Sequence, residues 1–283
     1  MRETRPITSA ASRSSGPSNE LGPLTPSSPI APSSPPKLFP FLLGLADDRL
    51  VLGHRLSEWC GHGPILEEDI ALANIALDLV GQATLLLNLA GKIEGKGRSE
   101  DALAYFRDGG EFRNLHIVEL PKGDYAYTIV RQFLFDVYSY HVLEQLQKGA
   151  HRELAGIAAK GFKEVRYHVR HSSEWVVRMG DGTDESHARA QKALDDLWRF
   201  TPEMFRPDAV DIEMQEHGIG PDLTALKPQW DGVVREVMGR STLVMPADSY
   251  MIGGGRNGKH TEFLGHMLAE MQIVARSHPG AEW

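Results

Sequence analysis

Four apolar helical segments of more than 20 residues, with no strand pattern between them, restrict this chain to an all-α fold. Alternation of apolar and polar residues never runs beyond four or five positions, and no internal repeat is present. Apolar positions recur at helical spacing over 38–60, and the run stops at Gly61-His62-Gly63-Pro64. Pro64 suits a first helical turn, and Glu67, Glu68 and Asp69 follow where the helix dipole favours acids. A second helix is therefore predicted over 65–90, closing at Gly91. A short helix after Ser99 and a looser stretch over 107–123 lead to the third and fourth long helices, 124–148 and 152–179. Thr183-Asp184-Glu185 reads as the N-cap of a helix over 186–200, and three more helices are expected near 208–217, 222–240 and 260–276. The 65–90 helix is apolar nearly all round (Ile70, Leu72, Ile75, Leu77, Leu79, Val80), which predicts burial at the centre of a bundle. One long connection, about 30 residues between the second and third long helices, makes the expected arrangement a ferritin-like bundle with additional C-terminal helices.

Composition narrows the partners. A formal net charge of -8 argues against nucleic acid or an anionic membrane, which select excess Lys and Arg. A single cysteine, Cys60, excludes an intramolecular disulfide and any thiolate cluster, and it reads as a small apolar packing residue. The apolar 65–90 run is interrupted by Asp69, Asn74, Asp78 and Gln82, so it does not read as a membrane span. The expected location is the cytoplasm. Residues 1–37 alternate Pro and Ser with few large apolar side chains, so a disordered tail is expected there, followed by one helical domain over 38–283.

A ferritin-like bundle raises the question of a carboxylate-bridged di-iron site. That chemistry needs a Glu from each of two helices and a Glu-x-x-His pair from each of the other two. None of the residues three before the twelve histidines is Glu. The single carboxylate there, Asp184 before His187, stands at an expected helix start, where it is more simply a cap. What remains is partial. Glu164, His168 and His171 share a helix face, Asn74, Asp78 and Gln82 form a polar stripe on the second helix, and Glu58 and Asp136 could project from the first and third. These groups are expected to hydrogen-bond one another or to face a partner protein.

Gly253-Gly254-Gly255-Arg256-Asn257-Gly258-Lys259-His260 has the spacing of a phosphate loop, but His260 stands where Ser or Thr would hold magnesium. No strand precedes it, so the nucleotide-hydrolase reading fails. Free amides with Arg256, Lys259 and His260 at a helix mouth could still meet an anion, against the plainer reading of a solvated basic rim. Trp175 and Trp198 read as core or interface anchors, and Leu264, Met267, Leu268, Met271 and Ile273 as the buried side of the last helix.

Several long motifs carry a resemblance. Leu56-Ser57-Glu58-Trp59-Cys60-Gly61-His62-Gly63-Pro64 and Ala71-Leu72-Ala73-Asn74-Ile75-Ala76-Leu77-Asp78-Leu79-Val80-Gly81-Gln82-Ala83 are two of them. Lys163-Glu164-Val165-Arg166-Tyr167-His168, Leu197-Trp198-Arg199-Phe200-Thr201 and His260-Thr261-Glu262-Phe263-Leu264-Gly265 are the others. Together, collinear over about residues 38–283, they resemble the family of the non-catalytic, ferritin-like C component of phenylacetyl-CoA epoxidase. The resemblance implies a structural, metal-free subunit of a bacterial monooxygenase for aerobic phenylacetate breakdown. Its partner would be a related ferritin-like subunit that carries the di-iron centre and epoxidises the ring of phenylacetyl-CoA with O2. Electrons would come from an NADPH-dependent reductase with FAD and an iron–sulfur centre, which this chain would meet only indirectly. It further implies that the metal-ligand positions are degenerate here: Glu58, Leu79, Gln82, Asp136, Val165 and His168. Val165 stands where the catalytic paralogue has Glu, and Leu79 and Gln82 stand at its Glu and His positions. Arg256 and Lys259 are the expected contacts to the partner or to the CoA phosphates. Two other readings are open at this point: an oxygenase using Glu58, Asp136, Glu164 and His168, and a free CoA-binding module.

Overall fold

The computed structural model describes residues 35–247 and 250–281; the expected tail over 1–37 lies outside them except for its last three residues. The described residues contain no strand. They form α1 (Leu38–Ser57), α2 (Leu66–Glu94), α3 (Glu100–Tyr105), α4 (His116–Glu119), α5 (Tyr125–Leu146), α6 (Arg152–Gly180), α7 (Asp184–Trp198), α8 (Ala209–Glu216), α9 (Leu223–Arg240) and α10 (Glu262–Ser277). The four long helices are α1, α2, α5 and α6, paired as α1 with α2 and α5 with α6, while α2 also meets α6. α7 and α9 pack on α5, and α3 and α4 fill the long connection between the two pairs. This is the ferritin-like arrangement read from the sequence.

The starts obey side-chain capping. Ser99, Asp124, Thr183 and Asp222 each accept a hydrogen bond from the backbone N–H three residues on, removing one orphan donor per helix. Two boundaries differ from expectation by three residues or more. α1 ends at Ser57 rather than Cys60. α2 continues past Gly91 to Gly95, which takes the left-handed conformation (φ 69°) that ends a helix. Gly91 serves a different need: a Cβ there would collide with the Arg98 carbonyl, so the glycine admits the returning chain.

Acids in the middle of α1 pin the long connection. Buried Asp47 takes Arg107 on both oxygens and the Arg113 amide, and buried Asp48 takes the Leu115 amide at 2.8 Å. A carboxylate inside an apolar helix is tolerated only where such donors meet it. The crossover is thereby folded back along α1.

α2 departs most from its sequence reading. One side is buried against its neighbours through Leu72, Ile75, Leu79, Ala83 and Leu86. The opposite side is open: Leu66 is 71% and Leu77 69% exposed. Apolar character all round thus does not mean central burial: one face of α2 is packed and the other is exposed. α2 is also long and apolar enough to cross a membrane, and half of its most apolar window is buried inside the fold. Two smaller expectations fail in the same direction, since Cys60 is exposed rather than packed and Ile273 on α10 faces outward.

Candidate functional site

The inward sides of α1, α2, α5 and α6 carry a set of polar groups in an otherwise apolar interior. At its centre is Arg49 of α1, 2% exposed. Its Nε donates to Gln82 Oε1 at 2.9 Å, one terminal nitrogen donates to the Leu45 carbonyl at 2.7 Å, and the other reaches Ser139 Oγ at 3.4 Å. Gln82 Nε2 in turn donates to Glu164 Oε2 at 2.9 Å. The single amide of Gln82 therefore links a buried cation to a half-buried acid on α6. Burial works against the guanidinium and pulls it below its ordinary value, yet an arginine keeps its charge at any physiological pH.

The remaining groups are matched in pairs. His168 Nε2 meets Asp78 Oδ2 at 3.0 Å, and His171 Nε2 meets Glu68 Oε2 at 2.8 Å. Tyr125 donates its hydroxyl to that same Glu68 oxygen at 2.6 Å. Asp136 of α5 accepts from Gln132 Nε2 at 2.6 Å and from Ser172 Oγ at 2.9 Å. Leu79 and Val165 are buried and apolar. Glu58 is the exception among the six degenerate positions: it caps the end of α1, half-exposed and paired with Arg55 at 2.7 Å, outside the interior. Among the described residues no three His, Cys, Asp or Glu side chains converge where one metal ion could be held.

A di-metal pair needs several carboxylates turned onto one point and no competing cation. Here the acids point to histidines, a tyrosine, an amide and a hydroxyl, and a guanidinium stands among them. The donor set does not fit a di-iron group. The oxygenase set of Glu58, Asp136, Glu164 and His168 is likewise not gathered: Glu58 is at a helix end and Glu164 turns to Gln82.

Asp136 is a carboxyl that this interior shifts strongly. Burial pushes its carboxyl up to about 7, while the charge of His168 and the hydrogen bonds from Ser172 and Gln132 pull it down only in part. The ordinary value is 3.8, so between about pH 4 and 7 the folded state keeps a proton that the unfolded state has lost. Stability contributed by this group therefore falls as pH rises through that window. Asp136→Asn has no proton to lose. Between pH 4.5 and 7.5 the wild type is expected to lose more unfolding free energy than the variant, by about 4 kcal/mol at most. Urea titrations at both pH values check this, and superimposable pH profiles would overturn the assignment.

The glycine-rich loop finds its anions within the chain. Glu203 Oε1 accepts from the amides of Gly254 and Gly255 at 2.8 and 2.9 Å, and the same carboxylate holds His116 through its amide and its Nδ1. Burial disfavours charge on both partners. For Glu203 the His116 contact and the Gly255 amide outweigh it, leaving the acid below its usual range; for His116 the Glu203 contact outweighs it, raising the imidazole. Glu119 similarly takes His260 Nδ1 at 2.8 Å and the Thr261 amide at 2.6 Å. Arg256, expected at the mouth of the last helix, lies inward. Its terminal nitrogens hold Asp48 at 3.0 and 2.7 Å and the carbonyls of Gly44 and Arg113 at 2.9 and 2.7 Å. Lys259 alone of the basic trio is exposed.

Arg49, Glu119 and Glu203 are not singled out by the sequence, and Glu68 is read there only as a helix-start acid. A signal existed for the first: Asp47-Asp48-Arg49 interrupts an apolar helix, and charges in such a place must be partnered.

The sequence profile described as "Phenylacetic acid catabolic protein" matches residues 24–283 of the chain. The chain is also similar to the C component of the 1,2-phenylacetyl-CoA epoxidase of Escherichia coli (strain K12). The two are 45% identical over 247 residues, 87% of this chain and 99% of that relative. The chain belongs to the phenylacetic acid catabolic protein family. In this member of the family the bundle interior holds the Arg49–Gln82–Glu164 chain, and His168 and His171 each meet one acid.

Proposed function

We propose that this chain is the structural, metal-free subunit of a phenylacetyl-CoA 1,2-epoxidase in aerobic phenylacetate catabolism. It pairs with the di-iron catalytic subunit and supports it. It is not an enzyme alone; O2 and NADPH chemistry belong to the assembled complex and its FAD and iron–sulfur reductase, and the location is cytoplasmic. The observation that carries this reading is Arg49 buried in the bundle interior with Gln82 as its partner. A fixed guanidinium there repels a divalent pair and ties α1, α2 and α6 together through Glu164. The name borne by the Escherichia coli relative supports the part of this reading that makes the chain a subunit of such an epoxidase.

The physical role is rigidity. A bundle braced by internal ion pairs can hold its neighbour within the narrow tolerance that positions O2 and a thioester substrate. Such an obligate contact buries on the order of 2,000 Å² or more. Of the two residues assigned to partner or CoA phosphates, Lys259 is the one free to make that contact, and Arg256 serves the fold. Co-expression with the catalytic subunit tests the reading. The two chains are expected to purify as one complex at fixed ratio through affinity and size-exclusion steps. A chain that stays monomeric beside its catalytic companion would contradict it.

A further inference from the structure

Large exposed apolar residues are unevenly distributed. Of thirteen among the described residues, five lie on α2 or at its N-cap: Ile65, Leu66, Ile70, Leu77 and Leu85. Leu66, Ile70, Leu77 and Leu85 follow steps of four, seven and eight residues, each near a whole number of helical turns, so they form one stripe. From Leu66 to Leu85 the stripe is about 29 Å long at 1.5 Å per residue. Scattered exposed leucines need no explanation, whereas a contiguous stripe marks a contact surface.

Beside the stripe, between α1 and α2, lies an apolar groove of about 250 Å³. It is lined by Gly53, Ser57, Cys60, Ala73, Leu77 and Val80 among others. The hollow exists because small side chains face each other there, and it has room for one large apolar side chain. The opposite flank is different in kind. α6 sits against α2 through Glu164, His168 and His171. The outer side of the same helix presents Lys160, Lys163 and Arg170 around Tyr167, all exposed, with one exposed acid, Glu174, on the same face. None of the three bases makes an ion pair with the described residues, and Arg170 lies over the Tyr167 ring at 5.5 Å. This basic flank belongs to a chain whose net charge is -8.

We infer that this face docks a different protein chain. Its contacting helix carries a matching apolar stripe, one large side chain for the groove, and acidic residues along the side that meets α6. Charge argues against an antiparallel second copy. In an antiparallel twofold contact through α2, α6 faces its own equivalent and like charge meets like. A bilayer would accept the apolar stripe and the basic flank, but it has no use for a shaped groove, and Asn74, Thr84 and Asn88 open onto the same exposed side of α2. The inference rests on the pairing reading above and adds to it the surface and the chemistry of the partner.

The test uses the full chain co-expressed with the catalytic subunit. Leu77→Asp is expected to reduce recovery of the complex at least tenfold, with an unchanged thermal melt because Leu77 is already 69% exposed. The double variant Lys160→Glu, Lys163→Glu is expected to weaken the complex severalfold and to flatten its salt dependence. Ile212→Asp, on α8 and also exposed, is the control expected to have no effect. If the wild type pairs and Leu77→Asp pairs equally well, this surface is wrong and the pairing reading stands. If the wild type does not pair, the pairing reading itself falls. Dimerisation of the chain alone that is lost in Leu77→Asp, or Leu77-dependent flotation with vesicles containing phosphatidylglycerol, would each assign the face to another occupant and overturn the inference.

Discussion

Replacing Arg256 with methionine is expected to cost about 3–5 kcal/mol of folding stability, the range seen when one member of a buried ion pair is removed. The guanidinium holds both oxygens of Asp48, which is 1% exposed. Burial pushes the Asp48 carboxyl above the usual carboxylate range, and the adjacent arginine is the main influence opposing it. Without Arg256 the acid is left with the Leu115 amide alone, and the Gly44 and Arg113 carbonyls lose their donor as well. Lysine recovers only part of the loss, because an ammonium cannot present two parallel N–H groups to one carboxylate. The double variant Asp48→Asn, Arg256→Met is expected to be more stable than Arg256→Met, since it no longer buries an unpaired acid. Urea denaturation of the three variants measures this directly. A loss below about 1 kcal/mol for Arg256→Met would mean that the side chain is not an internal brace.

The fate of Arg256 shows where sequence reasoning stopped. Its helix-mouth position and glycine-rich approach were visible, but its acid lies 208 residues away on α1. The Glu203 carboxylate that occupies the loop amides is 51 residues from Gly254. Local pattern can show that a loop offers donors; it cannot show that the chain supplies its own acceptor. The long helices were legible because spacing and caps are local properties, as at Asp124 and Thr183. Gly91 and Gly95 could not be ranked as helix ends without the Arg98 carbonyl that crowds the first. α2 misled for a related reason. Hydropathy is the same for a side chain facing the core and one facing outward, so Leu72 and Leu77 look alike until the fold separates them.

The interior site was half legible. The sequence has no Glu three before a histidine, and in the fold His168 meets Asp78 and His171 meets Glu68. The charge at the centre was not anticipated. Arg49 changes the argument from missing ligands to an opposing charge: a metal bound at Glu164 would stand one Gln82 amide away from a fixed cation. Removing a ligand lowers affinity, whereas adding a buried like charge in a low-dielectric interior penalises every divalent ion.

Iron content of the chain expressed alone in iron-replete medium tests this most directly. Purified without a companion and analysed by inductively coupled plasma spectrometry, it is expected to carry well under one iron per chain, unchanged by His168→Ala. About two irons per chain, lost when His168 is replaced, would contradict the account.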